Sequence, residues 1–292
     1  MYTGPILDSH IHLYAYHAAS YPWLGESGLE RLRSDHLPSA YATRARAAGI
    51  TASVHVEAGR IAEECLDETR WLDELELPAG VADRFVAHVP LADARADRLL
   101  DLQAAVDRVV GIRDIVAWHP DPAKSRVRRE RPTEDPVWRR NFASLANHGL
   151  SFDVLMTPHQ ADEIRRLADE HPEITIAINH CGSPLDRDRQ GMARWLAGLE
   201  LLAGAPNTTI KVSDPTAYDP DWSQESLTAV IRACVEAFGP ERAMFGSDDP
   251  LSGLFIPLDR WVGIFAYAIS DLTDEEQRAV FHDTAAGVYR LG

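Results

Sequence analysis

The segment Ile6–Leu13, ILDSHIHL, combines a short apolar run typical of a buried strand with two histidines one residue apart. Side chains alternate along an extended strand, so His10 and His12 leave the same face a few ångströms apart. They are placed to hold one ion or one substrate group, and the alternative is that they only end a strand. Polar residues that follow later strands favour the first interpretation.

Apolar segments rich in β-branched residues recur along the chain, and stretches with helical spacing separate most of them. This alternation predicts parallel strands joined by right-handed crossovers. Eight such units predict an α/β fold closed into a distorted (β/α)8 TIM barrel, with an open doubly wound sheet as the alternative. The predicted strands are Ile6–Leu13, Thr51–Val56, Phe85–Leu91, Gly111–Ala117, Ser151–Met156, Thr175–Asn179, Thr208–Ser213 and Ala243–Ser247.

Length and charge limit the classes of protein that this chain can represent. One domain spanning residues 1–292 is expected, because α/β barrels commonly run to about 250 residues as one unit. With 29 Lys and Arg against 45 Asp and Glu, the net charge of −16 repels phosphate backbones and anionic membranes. We therefore expect a small-molecule partner and no nucleic-acid or membrane partner; the sequence makes no prediction of the oligomeric state.

Cysteine usage and the N-terminus indicate the compartment. The three cysteines are far apart and form no C-x-x-C pair, which disfavours both a disulfide framework and a cysteine zinc site. The first residues lack the basic and then apolar pattern of a secretory signal, and no apolar run approaches the ~20 residues that span a bilayer. A cytoplasmic protein is expected.

Polar residues lie near the C-terminal ends of the predicted strands, which meet at one face of a barrel. Such a convergence predicts a site that binds and transforms a small molecule. Histidine and carboxylate ligands suit zinc or a related divalent ion, which lowers the pKa of a bound water toward ~7. The residues are His10, His12, His55, Glu57, His88, Arg113, His180 and Asp248.

Two mechanisms fit these residues. Asp248 would accept a proton from water or ligate a metal, with Asp249 as the alternative base. In a metal-free site, Asp248 would activate water while the histidines polarise a carbonyl and stabilise the oxyanion. His159 lies just beyond the fifth strand, and the neighbouring Pro158 indicates that it starts a helix.

Two long connections follow predicted strands and should cover the catalytic face. Trp23, in the connection 17–38, is expected to form a wall of the pocket, and the alternative is that it anchors the loop to the rim. The connection 118–132 is basic, so it would attract an anionic substrate or form a solvated loop paired with the acidic surface. Its basic residues are Lys124, Arg126, Arg128, Arg129 and Arg131.

Five motifs, in chain order, resemble those of the amidohydrolase superfamily, and most nearly its branch of sugar-lactone and dicarboxylate-lactone hydrolases. They are Asp8–His12, Tyr21–Leu24, Gly111–Arg113, Asn179–Gly182 and Gly246–Asp248. The resemblance covers essentially the whole chain. It implies a (β/α)8 barrel whose site, formed by His10, His12, His180 and Asp248, holds one divalent metal ion, with zinc expected, or none.

The sequence departs from the two-metal members of that superfamily. Those members usually have a bridging lysine or glutamate on the fourth strand and a histidine on the fifth. The segment Gly111–Ala117 has no lysine and Ser151–Met156 has no histidine, so a two-metal site is not expected.

The resemblance implies a hydrolase that converts a lactone to its hydroxy acid. Asp248 and His180 are the predicted catalytic residues. A metal-dependent non-oxidative decarboxylase on the same barrel is the alternative enzyme, disfavoured by the missing fifth-strand histidine, and a non-catalytic ligand-binding barrel is the third possibility. The predicted substrate-binding residues are Trp23, His55, Glu57, His88, Arg113 and Arg128, with the arginines holding a substrate carboxylate.

Overall fold

Eight parallel strands form one sheet in the order of the chain in the computed structural model, which describes residues 2–291. The strands are β1 Ile6–Ile11, β2 Ile50–Val56, β3 Arg84–His88, β4 Val109–Ile115, β5 Ser151–Leu155, β6 Ile176–Ile178, β7 Thr208–Val212 and β8 Ala243–Phe245. Beyond β8, the N–H of Asp248 donates to the carbonyl of His10 and the N–H of His12 donates to that of Asp249, both at 2.8 Å. These bonds close the sheet, so the predicted (β/α)8 barrel is confirmed.

The predicted domain bounds 1–292 stay a prediction, because Met1 and Gly292 lie outside the described residues. Each strand overlaps its predicted segment but is generally shorter; β3, for example, ends at His88 rather than Leu91. Among residues 2–291, no helix is both long and apolar enough to cross a membrane.

Helices lie between the strands and begin at recognisable signals. The Asp135 carboxylate accepts the N–H groups of Val137 and Trp138, which caps the helix that starts at Pro136. The helices are α1 Pro38–Ala47, α2 Cys65–Asp73, α3 Ala96–Ala104, α4 Pro136–Ala143, α5 Leu145–His148, α6 Ala161–Glu170, α7 Arg189–Ala203, α8 Gln224–Phe238, α9 Leu258–Ala268, α10 Asp274–Arg278 and α11 Thr284–Val288.

The barrel interior contains an apolar cluster and a buried polar network. Valines and other apolar residues of the strands pack against Tyr289, which follows α11. The Tyr289 hydroxyl donates to Asp153 of β5 at 2.9 Å, and Lys211 of β7 pairs with the same carboxylate at 2.6 Å. The Lys211 ammonium also donates to the carbonyl of Ser9 at 2.7 Å. This filling leaves the C-terminal ends of the strands as the open face.

Candidate active site

The four predicted central residues converge at that open face. The His10 and His12 rings lie 4.9 Å apart, and the His10 and His180 rings 4.5 Å apart. From Asp248 Oδ1, the Nε2 atoms of His12, His10 and His180 lie at 3.0, 3.4 and 3.9 Å. All four side chains are buried. The structure therefore brings together His10 of β1, His12 directly after β1, the histidine after β6 and the aspartate after β8.

Strand irregularity contributes to this arrangement. By strict alternation Asp8 and His10 would share a face, yet Asp8 bonds to Tyr41 of α1 whereas His10 lies against Asp248. The β1–β2 register shifts between Asp8 and Ile11, which breaks the alternation. The simple two-residue period therefore does not describe the whole of β1.

A hydrogen bond shows which ring nitrogen of His12 carries the proton. Its Nδ1 lies 2.8 Å from the carbonyl oxygen of Val56, and because a carbonyl only accepts, Nδ1 carries the proton. Burial, and then the positive charge of Arg113, lower the pKa of His12 to about 4, so the ring is neutral near pH 7. The lone pair on Nε2 consequently faces the Asp248 carboxyl 3.0 Å away. Two acceptors in this position need a proton or a cation between them.

The other central histidines are neutral for the same reasons. Burial and nearby positive charges, including Arg113 and Lys211, hold the pKa values of His10 and His180 well below their usual range. His180 Nδ1 lies 2.9 Å from the Ser213 hydroxyl, which orients Nε2 toward Asp248. Nδ1 of His10 is buried and has no hydrogen-bond partner among residues 2–291. The imidazole nitrogens and the carboxylate at the centre therefore offer more hydrogen-bond acceptors than there are donors to pair with them.

Two carboxyl groups share this environment. Burial, opposed in part by Arg113, raises the pKa of Asp248 to about 7. Asp214, which follows β7, has its pKa raised well above the usual range by burial and then by the charge of Asp248. Burial beside a second carboxyl group therefore favours the neutral form of Asp214. Sequence analysis missed Asp214, although its place after the seventh strand is the signal that identified Asp248 after the eighth.

The centre fits a divalent cation. His10, His180 and Asp248 each offer a ligand atom, and these atoms lie within 4.8 Å of one another. Neutral imidazoles and a carboxylate are the ligands that zinc prefers in catalytic sites, and His12 adds a further imidazole nitrogen. Lys211 and Asp153 neutralise each other inside the barrel, so neither is free to hold a second ion.

Arg113 and Glu57 form a buried ion pair beside the centre. Arg113 Nε donates to Glu57 Oε1 at 2.5 Å and Nη2 donates to the Glu57 carbonyl at 2.6 Å, while Nη1 lies 3.5 Å from His10 Nε2. Burial alone would raise the pKa of Glu57, but Arg113, His88 and hydrogen bonds outweigh it and bring the pKa to about 2. Glu57 thus occupies the guanidinium fork that was expected to hold a substrate carboxylate.

Three predicted substrate-binding residues do not reach the centre. Val54 and Val56 face the barrel interior, so alternation turns His55 toward α2, where its Nε2 lies 3.3 Å from Glu68 Oε1. His88 lies behind Arg113, with Nδ1 at 3.3 Å from the Arg113 carbonyl oxygen. Arg128 is exposed and borders a different depression, which is lined by residues of its own loop. Side-chain direction and loop path, rather than position in the sequence, separate them from the site.

A cavity of about 380 Å³ opens onto the centre. Trp23 forms part of its wall, as the sequence predicts, and its Nε1 donates to the Ala58 carbonyl at 3.0 Å. Gly59 lies against this indole, since a Cβ built there would come 2.7 Å from Trp23 Nε1. The lining residues are His12, Trp23, Glu26, Ala58, Gly59, Arg113, Ile115, Arg126, Leu155, His180, Asp248 and Leu251.

Of the basic residues in the connection 118–132 after β4, Arg126 lines this cavity, and it forms an ion pair with Glu26. Its Nη1 lies 3.2 Å from Oε1 of Glu26, which belongs to the other long loop. Arg129 pairs with Asp135 and Arg131 with Glu134 on the solvent side. The expected alternative, a solvated loop paired with acidic residues, describes these contacts. Sequence analysis missed Glu26, because its partner lies 100 residues away.

A second group of possible ligands, His119, His159 and Asp186, lies at the rim. Lys124 Nζ and Arg194 Nη1 contact the Asp186 carboxylate at 2.5 and 3.2 Å, and their charges disfavour a metal cation. His119 Nδ1 accepts the Asp121 N–H, so the protonated Nε2 donates to Asp186. These contacts hold the connection 118–132 against Asp186. His159 lies at the turn before α6, as expected.

A barrel with paired histidines at the end of β1, a histidine after β6 and an aspartate after β8 defines the amidohydrolase class. The profile of the amidohydrolase family matches residues 7–291, and the chain belongs to that family.

Among its relatives, an L-fucono-1,5-lactonase of Burkholderia multivorans is 32% identical over 299 residues, which cover 98% of this chain and 96% of the relative. A crystal structure of an amidohydrolase from Burkholderia multivorans with bound HEPES superposes with a TM-score of 0.85 and 27% identity, covering 99% of this chain and 100% of the other. A crystal structure of an amidohydrolase from the same organism with bound zinc has a TM-score of 0.83 and 26% identity, with the same coverage.

Proposed function

We propose that this protein hydrolyses a lactone to its hydroxy acid and that the lactone is an uncharged sugar derivative. The observation that carries the proposal is the position of Asp248, a buried carboxyl group whose Oδ1 lies 3.0, 3.4 and 3.9 Å from Nε2 of His12, His10 and His180 at a cavity of about 380 Å³. Without a bound cation, burial raises the pKa of this carboxyl group to about 7, where a base both takes and returns a proton near neutral pH. The similarity to an L-fucono-1,5-lactonase supports the substrate class.

Asp248 acts as the general base and then as the general acid. It takes a proton from the water that attacks the lactone carbonyl, and a C–O bond forms between that water and the carbonyl carbon. When the ring C–O bond breaks, the same proton passes to the leaving alkoxide, so the product is a hydroxy acid.

The neighbouring residues orient the reactants. Glu57 holds Arg113 so that Nη1 faces His10 at the centre, where it can donate to an oxygen that develops negative charge. Trp23 provides an apolar wall for the carbon face of a sugar ring. A divalent cation held by His10, His12, His180 and Asp248, for which zinc is the proposed ion, would polarise the lactone carbonyl and acidify water.

Charge pairing in the cavity favours an uncharged lactone over a dicarboxylate lactone. The lining contains two arginines, Arg113 and Arg126, and each is paired with a glutamate. A substrate carboxylate would have to displace Glu57 or Glu26, and displacing Glu57 would leave a buried carboxylate without its partner. Hydroxyl groups, by contrast, can donate to these glutamates without breaking either ion pair.

A lactone panel tests the proposal. The purified protein is assayed with neutral sugar 1,5-lactones and with carboxylated lactones, with acid release followed by a pH indicator and metal content measured alongside. We expect turnover of neutral lactones above the spontaneous rate, with bound zinc. Tight binding without turnover would indicate a non-catalytic barrel, and carbon dioxide release from an aromatic acid would indicate a decarboxylase.

A further inference from the structure

The segment Ser247–Pro250, which carries Asp248, adopts a backbone conformation that its sequence does not favour. Asp248 has φ of +64°, in the left-handed region that residues other than glycine adopt uncommonly. Its N–H donates to the His10 carbonyl, and the Asp249 carbonyl accepts the N–H of His12. Displacement of this segment would therefore change the distance from Asp248 to both His10 and His12.

Helix α1 is linked to the two ends of this segment through side chains one turn apart, to one end through Asp8 of β1 and to the other end directly. The Tyr41 hydroxyl donates to Asp8 Oδ2 at 3.0 Å, and Asp8 Oδ1 accepts the N–H of Ser247 at 2.8 Å. On the other side, Arg44 Nε and Nη2 donate to the two Asp249 carboxylate oxygens at 3.0 and 2.6 Å. The helix thereby fixes the chain immediately before and immediately after Asp248.

We infer that Arg44 is a positioning residue for Asp248, acting through the Asp249 carboxylate. The inference rests on the proposed function, because it assumes that Asp248 handles the proton. A bidentate guanidinium fixes both the place and the orientation of a carboxylate, whereas an ammonium fixes only its place. The Asp249 side chain is 5% exposed, so its conformation depends on this one partner more than on water.

The space around the pair allows movement without unfolding. A groove of about 510 Å³ on the outside of the barrel is lined by Arg44, Asp249, Pro250 and neighbouring residues. Once Arg44 is removed, the Asp249 carboxylate can rotate into this groove and become hydrated. We therefore expect loss of Arg44 to misplace Asp248 rather than to unfold the barrel. This also accounts for Asp249, the alternative base from the sequence, which faces the groove and Arg44.

The experiment compares Arg44→Met with Arg44→Lys and with a matched control. Arg232→Met removes an ion pair between α8 and Asp271, which lies between α9 and α10, and the Arg232 and Arg44 side chains are 42% and 41% exposed. For Arg44→Met we expect kcat on the best neutral lactone to fall by about 10- to 100-fold with KM changed by less than about threefold. Arg44→Lys should recover part of the loss. Arg232→Met should match the wild type.

Zinc affinity and the melting temperature complete the test. Misplacement of a metal ligand should weaken zinc binding by about 10-fold or more in Arg44→Met, with a Tm close to that of Arg232→Met. Unchanged kcat and unchanged zinc affinity would overturn the inference, as would a loss confined to KM. If the wild type hydrolyses no lactone, the proposed function fails and zinc affinity alone decides the role of Arg44. Should Arg44→Met not fold, Asp249→Asn provides the same comparison.

Discussion

Replacing Asp248 with asparagine should separate activity from stability. The amide keeps the size of the carboxyl group and can donate from Nδ2 to the unprotonated Nε2 of His12, now 3.0 Å from Oδ1. It cannot accept a proton from water near pH 7. We therefore expect kcat on a neutral lactone to fall by about 10²- to 10⁴-fold.

The same substitution should stabilise the chelator-treated protein above neutral pH. Burial raises the pKa of Asp248 from 3.8 to about 7, so the folded protein binds this proton more tightly than the unfolded chain does. The resulting stabilisation is complete below about pH 4 and is lost as pH rises through 7. The shift from 3.8 to about 7 is worth roughly 4 kcal/mol in total, and Asp248→Asn removes this pH-dependent contribution.

Urea unfolding between pH 5 and pH 8, in the presence of a chelator, measures this effect, and a lactone assay on the zinc-loaded proteins measures the activity. The stability of the wild type should fall with pH relative to that of Asp248→Asn. An exposed control, Asp271→Asn, should follow the wild type. Near-normal kcat for Asp248→Asn would refute its role as the base, and identical pH dependence of stability would refute its raised pKa.

Three further substitutions test other parts of the account. Glu26→Gln frees the guanidinium of Arg126 at the cavity mouth, so the ratio of kcat/KM for carboxylated lactones to kcat/KM for neutral lactones should rise by about 3- to 10-fold in low salt. The effect is limited because the ion pair is half exposed. An unchanged ratio would show that the pair does not contact substrate. Lys211→Met leaves the Asp153 carboxylate buried without its cation and should lower the free energy of unfolding by about 3–5 kcal/mol. The double variant Lys211→Met/Asp153→Leu, which removes both charges, should lose less, and a similar loss would contradict this explanation. Gly59→Ala places a methyl group against the indole of Trp23 and strains a residue at φ of +75°. We therefore expect KM to rise several-fold and the tryptophan fluorescence to shift. An unchanged KM and an unchanged fluorescence would show that this wall of the cavity is not rigid.

The fold could be predicted because a buried parallel strand has a local pattern. The sixth strand, around Ile176–Ile178, is recognisable from its own apolar run, and its neighbours in the barrel are its neighbours in the chain. The central residues were predictable for a related reason. His180 and Asp248 follow apolar strands directly, and the carboxyl ends of all strands in a barrel meet at one face.

Contacts between distant loops could not be predicted in this way. Sequence position gave no reason to choose Arg126 over Arg128, since the loop path decides which one reaches the cavity. His55 was expected to bind substrate but faces α2, because the face of a residue depends on which neighbours point into the barrel. The pairing of Arg113 with Glu57 likewise depends on the distance between two adjacent strand ends.

The most direct test of the account is the position of solvent oxygen in the product. The zinc-loaded protein is incubated with a neutral sugar 1,5-lactone in water enriched in ¹⁸O, and the product is analysed by mass spectrometry after subtraction of the spontaneous reaction. We predict one heavy oxygen per hydroxy acid, in the carboxyl group, at a rate that depends on Asp248. Absence of acceleration over the spontaneous reaction, or consumption of an acid with release of carbon dioxide instead, would contradict lactone hydrolysis at this site.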